Sequence, residues 1–242
     1  SEEEQKEFGR VQLRVSAICK VAHDANMSIF LDAEESWIQV AIDNMAIQMM
    51  VLYNTEKVIV YNTYQLYRKD SLANLKHAFK LAQEGNYYFG AKLVRGAYME
   101  KERARALEKG YPSPIQDTKE NTDNDYNAAL AFCIENINRI GVCAGTHNEN
   151  SSLQLVKLME EKGISHEHKH IYFSQLLGMS DHISYNLADA GYNVAKYVPY
   201  GPVSEVLPYL IRRAQENTSV KGQTGRELGL IIKEKERRKT AS

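Results

Sequence analysis

The sequence predicts an α/β fold made of repeated strand–helix units, and three observations support this prediction. Short apolar runs alternate with long amphipathic segments at intervals typical of βα units. The apolar runs lack strict alternation, which is typical of parallel strands covered by helices on both faces. Most runs also end on a polar or titratable residue. A barrel would bring those ends to one pocket, whereas a doubly wound sheet would scatter them, so we favour a barrel.

The elements can be assigned in order along the chain. Apolar residues spaced three and four apart predict a first helix over residues 4–25, with Asn26 as its stop. A long helical pattern follows the first strand from Glu34 to about Tyr53. The charged tail from Arg226 to Lys239 predicts a last, solvated helix. The predicted strands span residues 28–32, 58–62, 91–95, 141–146, 171–175 and 193–198.

The composition limits the class of protein. The 242 residues are 43% hydrophobic and 25% charged, with a formal net charge of -1. This charge balance argues against a nucleic-acid partner, because a phosphate backbone selects for a basic surface. We find no apolar run near the roughly 18 residues of a membrane span, no signal or transit peptide, and no linker. We therefore predict one domain over residues 1–242, and three cysteines without CxxC spacing indicate a reducing compartment.

The strand ends supply the candidate site residues. Lys92 and Arg95 lie three apart, so on a strand they face opposite sides, and we predict that Lys92 is the one facing the barrel interior. Gly96 would allow a ligand or another chain segment to approach the backbone closely. Each of these side chains also has a structural alternative. Asp32 would stabilise the start of a helix, Arg95 would lie on the surface, and His147 would have a structural role. The strand-end candidates are Asp32, Asn62, Lys92, Arg95, Thr146, His147, Gln175 and Tyr197.

Two further clusters contain residue types that bind ligands. His166, His168 and His170 are spaced for one face of a strand, but they fall in a predicted loop with no acidic or cysteine neighbour, so we predict no metal site. In YLIRRAQEN, the adjacent Arg212 and Arg213 would share a helix side with Tyr209 and Glu216, a pattern that suits a carboxylate ligand. A surface ion pair between Arg212 and Glu216 is the alternative. Neither a GxGxxG nor a Walker sequence occurs.

The ordered motifs DAEES, VYNTYQLY, KLVRGAYMEKERA, THNE, FSQLLGM and KYVPYGPVSEVLPYLIRRAQEN resemble the proline dehydrogenase family over about residues 28–217. The resemblance implies a (βα)8 TIM-type barrel, of which this chain would hold the last six βα units. The first two strands would then come from an N-terminal segment, from another chain or from a second copy. The implied reaction is FAD-dependent oxidation of L-proline to pyrroline-5-carboxylate, by hydride transfer from proline C5 to flavin N5.

The sequences of these motifs resemble the monofunctional type of the family, which implies a quinone as electron acceptor. It also implies a location at the inner membrane surface of a bacterial cytoplasm, or in the mitochondrial matrix or inner membrane. The basic tail KEKERRK is a candidate for peripheral membrane contact.

The resemblance also implies roles for individual residues. Asp32 and Lys92 match catalytic strand-end positions near the flavin ring. Arg212 and Arg213 match the pair that grips the substrate carboxylate, with Glu216 as their acidic partner. The residues implied to wall the proline ring are Tyr98, Leu176, Tyr197 and Tyr209. The residues implied to contact the flavin are Ala33, Asn62, Val94, Arg95, Gly96, Ala97, Thr146 and His147.

Two other functions remain open at this point. A hydroxyproline dehydrogenase is the near alternative, although the bulky phenol of Tyr197 would crowd a ring hydroxyl. Relatives specialised for hydroxyproline resemble this sequence with a smaller residue at that point. An incomplete, non-catalytic barrel that acts as a binding or assembly module is the alternative from another class.

Overall fold

The computed structural model describes the backbone of residues 1–219 and 223–240 and the side chains of residues 1–211, 229 and 232–239. Helices and parallel strands alternate along this part of the chain. The strands are β1 (Ile29–Leu31), β2 (Val60–Gln65), β3 (Phe89–Val94), β4 (Ile140–Gly145), β5 (Ile171–Leu176) and β6 (Val194–Tyr197). The helices are α1 (Glu2–Asp24), α2 (Ser36–Tyr53), α3 (Ser71–Glu84), α4 (Met99–Lys109), α5 (Lys119–Glu135), α6 (Glu149–Glu161), α7 (Asp181–Asp189), α8 (Val203–Ser219) and α9 (Gln223–Thr240).

The sheet has the topology of a barrel segment. In the described residues its six strands follow one another in the order β1 to β6, and each neighbouring pair is parallel. A doubly wound sheet would reverse its strand order at a switch point, and this order contains no reversal. The strands curl into a half-barrel with helices on the outer face, which confirms the predicted fold class.

The main hydrophobic core lies between the sheet and the outer helices. Phe89 and Leu93 on β3 and Phe173 on β5 are fully buried and belong to one hydrophobic cluster with Leu75 on α3 and Leu130 on α5. Burying a side chain of this size stabilises a fold by about 1.5–3 kcal/mol each. This layer therefore fixes the helices on the sheet and, with them, the loops that follow each strand.

An aromatic side chain, that of Tyr61, lies on the inner face of the half-barrel and reaches over the neighbouring strands. Tyr61 on β2 is 1% exposed and stacks in a tilted pair with Phe30, at 4.9 Å between ring centroids. A Cβ atom on Gly141 would lie 2.6 Å from the Tyr61 hydroxyl, and one on Gly90 would lie 2.2 Å from the Val60 carbonyl. Glycine is therefore required at both positions for the strands and the tyrosine to fit together.

The predicted second strand is displaced from the observed one. We predicted residues 58–62, whereas β2 runs over Val60–Gln65 with every residue buried. Polar residues can continue this strand because they find partners: Asn62 donates to Asp43 at 2.7 Å, and Gln65 donates to the Glu34 carbonyl at 2.7 Å. An apolar-run criterion stops too early when buried polar side chains are hydrogen-bonded in this way.

Candidate active site at the carboxyl ends of the strands

A cavity of about 690 Å³ lies at the carboxyl ends of the strands. A volume of this size is typical of small-molecule and cofactor sites. Side chains from or just after every strand of the sheet reach it, so the structure brings together all the predicted polar strand ends except Asn62. Its lining includes Asp32, Ala33, Thr63, Gln65, Lys92, Val94, Arg95, Gly96, Ala97, Tyr98, Gly145, Thr146, His147, Gln175, Leu176, Tyr197 and Tyr209.

A lysine–aspartate pair forms the inner part of the cavity. Lys92 Nζ on β3 donates to Asp32 Oδ1, just beyond β1, at 2.5 Å, and the Lys92 side chain is only 17% exposed. The same ammonium group lies 5.7 Å from the Phe30 ring centroid and 5.8 Å from that of Tyr197. One carboxylate and two aromatic faces hold this ammonium group in position. A positive group fixed in this way suits contact with a ring that gains negative charge.

The prediction that only one of the two cations reaches the interior is wrong, because Arg95 also lines the cavity. β3 ends at Val94, so the alternation of a strand no longer applies to the next residue. The Arg95 guanidinium donates to Asp123 Oδ1 and to Thr146 Oγ1, each at 2.7 Å, and to Ser151 Oγ at 2.9 Å. The cavity therefore carries two fixed positive groups on one side.

Asn62 is placed differently from the expected flavin contact. Its side chain is buried beneath α2, where it donates to Asp43, and it does not line the cavity. Because side chains alternate along β2, Tyr61, Thr63 and Gln65 face the interior instead. Gln65 takes the place in the cavity wall that we expected for Asn62. Counting every second residue along the strand from Tyr61 identifies Gln65 as a residue that faces the interior.

The loop after β3 makes the next part of the wall. Gly96 has φ +131°, and a Cβ there would lie 2.5 Å from the Tyr67 ring, so another chain segment does approach this glycine closely. Ala97 and Tyr98 follow it along the cavity. The Tyr98 hydroxyl donates to Glu34 Oε2 at 2.5 Å, which ties this loop to the loop after β1.

The far end of the cavity is polar and includes residues that the sequence analysis missed. Thr146 Oγ1 accepts from the Asn148 backbone N–H at 3.0 Å, and the Asn148 side chain caps the first turn of α6. His147 Nδ1 lies 3.0 Å from Ser180 Oγ, on the loop after β5. Further polar residues at this end are Lys119, Asn150 and His182. Contacts across separate loops cannot be read from spacing along the chain.

Two tyrosines stand at the side of the cavity formed by β6 and α8. The rings of Tyr197 and Tyr209 lie 5.5 Å apart between centroids with a 49° tilt, and Leu176 lines the wall beside them. Tyr98 also lines the cavity, so the four residues expected to wall the substrate are brought together. The expected carboxylate-binding group falls on α8, but the side chains of Arg212, Arg213 and Glu216 lie outside the described residues.

The histidine cluster lies away from this cavity, in the turn before β5. His166 Nδ1 lies 2.9 Å from the Ala190 carbonyl, and its ring stacks on Tyr192 at 4.1 Å between centroids. Over the described ranges, no group of three or more His, Cys, Asp and Glu side chains is placed to hold a metal ion. In the same part of the chain, no helix has the length and apolar character needed to cross a bilayer.

Known proteins resemble this chain in sequence. The sequence model of the family described as "Proline dehydrogenase" matches residues 1–226. "Proline dehydrogenase 1, mitochondrial" of Drosophila melanogaster is 43% identical over 245 residues, covering 97% of this chain and 36% of that protein. The human protein of the same name is also 43% identical and covers 96% of this chain and 39% of its own length. "Hydroxyproline dehydrogenase" of Xenopus laevis is 42% identical over 229 residues, covering 93% and 49%.

A solved structure shares the fold. Proline utilization A from Bdellovibrio bacteriovorus, in a crystal structure of the protein inactivated by N-propargylglycine, superposes with a TM-score of 0.82 at 24% identity. The match covers 90% of this chain and 22% of that one. The chain thus spans less than half the length of these relatives. The match of the family's sequence model to residues 1–226, which is most of the chain, shows that this chain belongs to the proline dehydrogenase family.

Proposed function

We propose that this chain carries the catalytic site of an FAD-dependent enzyme that oxidises L-proline to pyrroline-5-carboxylate. The observation that supports this most strongly is the convergence of Lys92, Asp32 and Arg95 with Tyr197 and Tyr209 on one cavity. Positive groups on one wall and aromatic rings on another match a ligand pair of an anionic flavin cofactor and a small ring-shaped substrate. Family membership supports proline as this substrate.

The residues present fit a flavin. Gln65 and Lys92 both line the cavity and would offer N–H donors to oxygen and nitrogen atoms of a flat ring. Arg95, Lys119 and the amino end of α6 would hold the diphosphate. When bound, FAD supplies the acceptor for the hydride that leaves proline C5.

The protein side chains would bind and orient the substrate. Tyr197, Tyr209 and Leu176 would enclose the pyrrolidine ring and exclude water from it. Arg212 and Arg213, one helical turn after Tyr209, would bind the carboxylate with Glu216 as their acidic partner, as the sequence predicts. Asp32 would hold the Lys92 ammonium group in place in the cavity. This geometry would hold C5 toward the cofactor.

The electron acceptor and the compartment belong to the same proposal. We take a quinone as the acceptor, and the mitochondrion as the compartment, because the names of the fly and human relatives include "mitochondrial". The basic segment KEKERRK at the end of α9 is the proposed membrane contact. There Glu234 accepts from Arg237 and Arg238, so part of its positive charge is paired within the helix.

Hydroxyproline is the second candidate substrate, because the Xenopus laevis relative named for it is 42% identical. Turnover of L-proline and trans-4-hydroxyproline with a soluble quinone analogue separates the two. We expect kcat/KM for L-proline to be at least about tenfold higher, since the Tyr197 phenol crowds a ring hydroxyl. Tyr197→Ser should narrow this ratio, while Tyr200→Ser, at a residue that is 100% exposed, should leave it unchanged. A preference for hydroxyproline would reverse the assignment, and no turnover of either would favour the non-catalytic alternative.

A further inference from the structure

The Arg95 guanidinium is held on several sides. It donates three hydrogen bonds from the five N–H groups of an arginine: Nε to Asp123, Nη1 to Thr146 and Nη2 to Ser151. The guanidinium carbon also lies 4.4 Å from the centroid of the Tyr126 ring. These contacts fix both the plane and the rotation of the group. One further N–H group on each of Nη1 and Nη2 takes no part in these three hydrogen bonds.

Asp123 is the charged member of this set of partners. Thr146 and Ser151 contribute neutral hydroxyl groups, whereas the carboxylate of Asp123 makes a charge-assisted hydrogen bond of 2.7 Å. Its other oxygen accepts from Lys119 Nζ at 2.5 Å. Burial alone would raise the pKa of Asp123, but the bonds from Lys119 and Arg95 lower it below its ordinary value. The carboxyl group is therefore ionised at neutral pH.

Asp123 lies behind the cavity wall. It projects from the first turns of α5 and does not line the cavity, while Arg95 and Lys119 do. A long arginine side chain loses much rotational freedom when it is fixed, so a partner that fixes it before the ligand arrives reduces the cost of binding. One carboxylate behind two cations meets this requirement and also separates their like charges.

We propose that Asp123 is a positioning residue that orients Arg95 for binding the flavin cofactor. The inference rests on the proposed function, because it takes FAD as the ligand of this cavity. It concerns a residue that acts through Arg95 and touches neither the cofactor nor the substrate.

FAD affinity, measured by fluorescence titration of the full chain, tests the proposal. We expect Asp123→Asn to weaken FAD binding about tenfold. Asp125→Asn on the same helix, whose carboxylate accepts from Gln116 at 2.6 Å, should stay within twofold of the unaltered chain. Asp123→Glu, which retains the charge, should recover most of the affinity. In an Arg95→Met background, Asp123→Asn should add less than a twofold loss, because its effect passes through the arginine.

The outcomes separate this proposal from the proposed function. FAD binding by Asp123→Asn at the affinity of the unaltered chain would overturn the positioning role, and so would a full loss that persists in the Arg95→Met background. Absence of FAD binding by the unaltered chain would overturn the proposed cofactor and the role of Asp123 with it. Circular-dichroism melting of each variant without FAD distinguishes loss of affinity from loss of fold, and Asp123→Glu supplies the test if Asp123→Asn does not fold.

Discussion

His170, at the amino end of β5, is a half-buried histidine outside the candidate site. Burial, which disfavours the charged ring, and the neighbouring Lys169 lower its pKa from 6.5 to about 4. The unfolded chain therefore binds a proton at this residue before the folded chain does. Between pH 6.5 and about 4 the stability contributed by the neutral ring falls as the pH falls.

We predict that His170→Gln reduces the loss of stability on acidification. Over this window the variant should lose less unfolding free energy than the unaltered chain, by about 1–2 kcal/mol after allowance for the solvent that reaches the ring. Urea unfolding at pH 7.5, 5 and 4 measures the difference. Replacing the exposed His77 on α3 by glutamine is the matched control and should leave the pH dependence unchanged. Parallel pH profiles for His170→Gln and the unaltered chain would contradict this assignment.

At the scale of single residues, the sequence predicted those site positions that depend on strand ends. Asp32, Lys92 and Thr146 reach the cavity because parallel strands end at the same edge of the sheet. Asn62 was misplaced because the end of β2 was set three residues too early. Gln65 was missed for the same reason. Ser180 was not predictable, since its place in the wall depends on the loop after β5 folding back to His147.

Helix α4 is tied to the start of α2 by a carboxylate that is fully buried. Glu102 accepts from the Ser36 backbone N–H at 2.6 Å and from the Ser36 hydroxyl at 2.7 Å. The preceding Glu35 makes no side-chain cap, so Glu102 satisfies a backbone donor that the helix itself leaves open. The loop fixed in this way carries Asp32, Ala33 and Glu34 into the cavity.

We predict that Glu102→Ala lowers the free energy of unfolding by about 2–3 kcal/mol, because it removes a fully buried side chain and leaves the partly buried Ser36 N–H without its acceptor. Glu102→Gln retains an acceptor oxygen and should cost about 1 kcal/mol. Glu108→Ala, at an exposed position on the same helix, should change stability by less than about 0.5 kcal/mol. Chemical denaturation of the three variants measures these values. Equal stability of Glu102→Ala and Glu108→Ala would show that the tertiary cap contributes nothing.

At the scale of elements, the sequence predicted which segments form helices and strands better than it predicted their first and last residues. The first helix was expected over residues 4–25 and is observed over Glu2–Asp24, and Asn26 takes φ +56°, as suits a residue that ends a helix. The start of this helix can be predicted without tertiary contacts, because Ser1 and Glu4 form a local capping box. By contrast, the acceptor at the start of α2 comes from α4, 66 residues later.

For the whole molecule, the order of strands was predictable because it follows from short right-handed βα units in sequence. The six predicted strands all occur, and they are adjacent in the predicted order. In the described residues, β1 and β6 form the two edges of the sheet, and Phe30 on β1 is 39% exposed. The cofactor and the substrate do not follow from topology, because one barrel fold supports many chemistries.

The central claim is that this chain holds FAD in the strand-end cavity and passes electrons from proline to it. The most direct test is the visible absorbance spectrum of the purified chain incubated with FAD and desalted, before and after L-proline is added without oxygen. We predict a retained flavin band that bleaches on addition of L-proline and is unchanged on addition of D-proline. A chain that retains no flavin, or a flavin band that L-proline leaves unchanged, would contradict the claim.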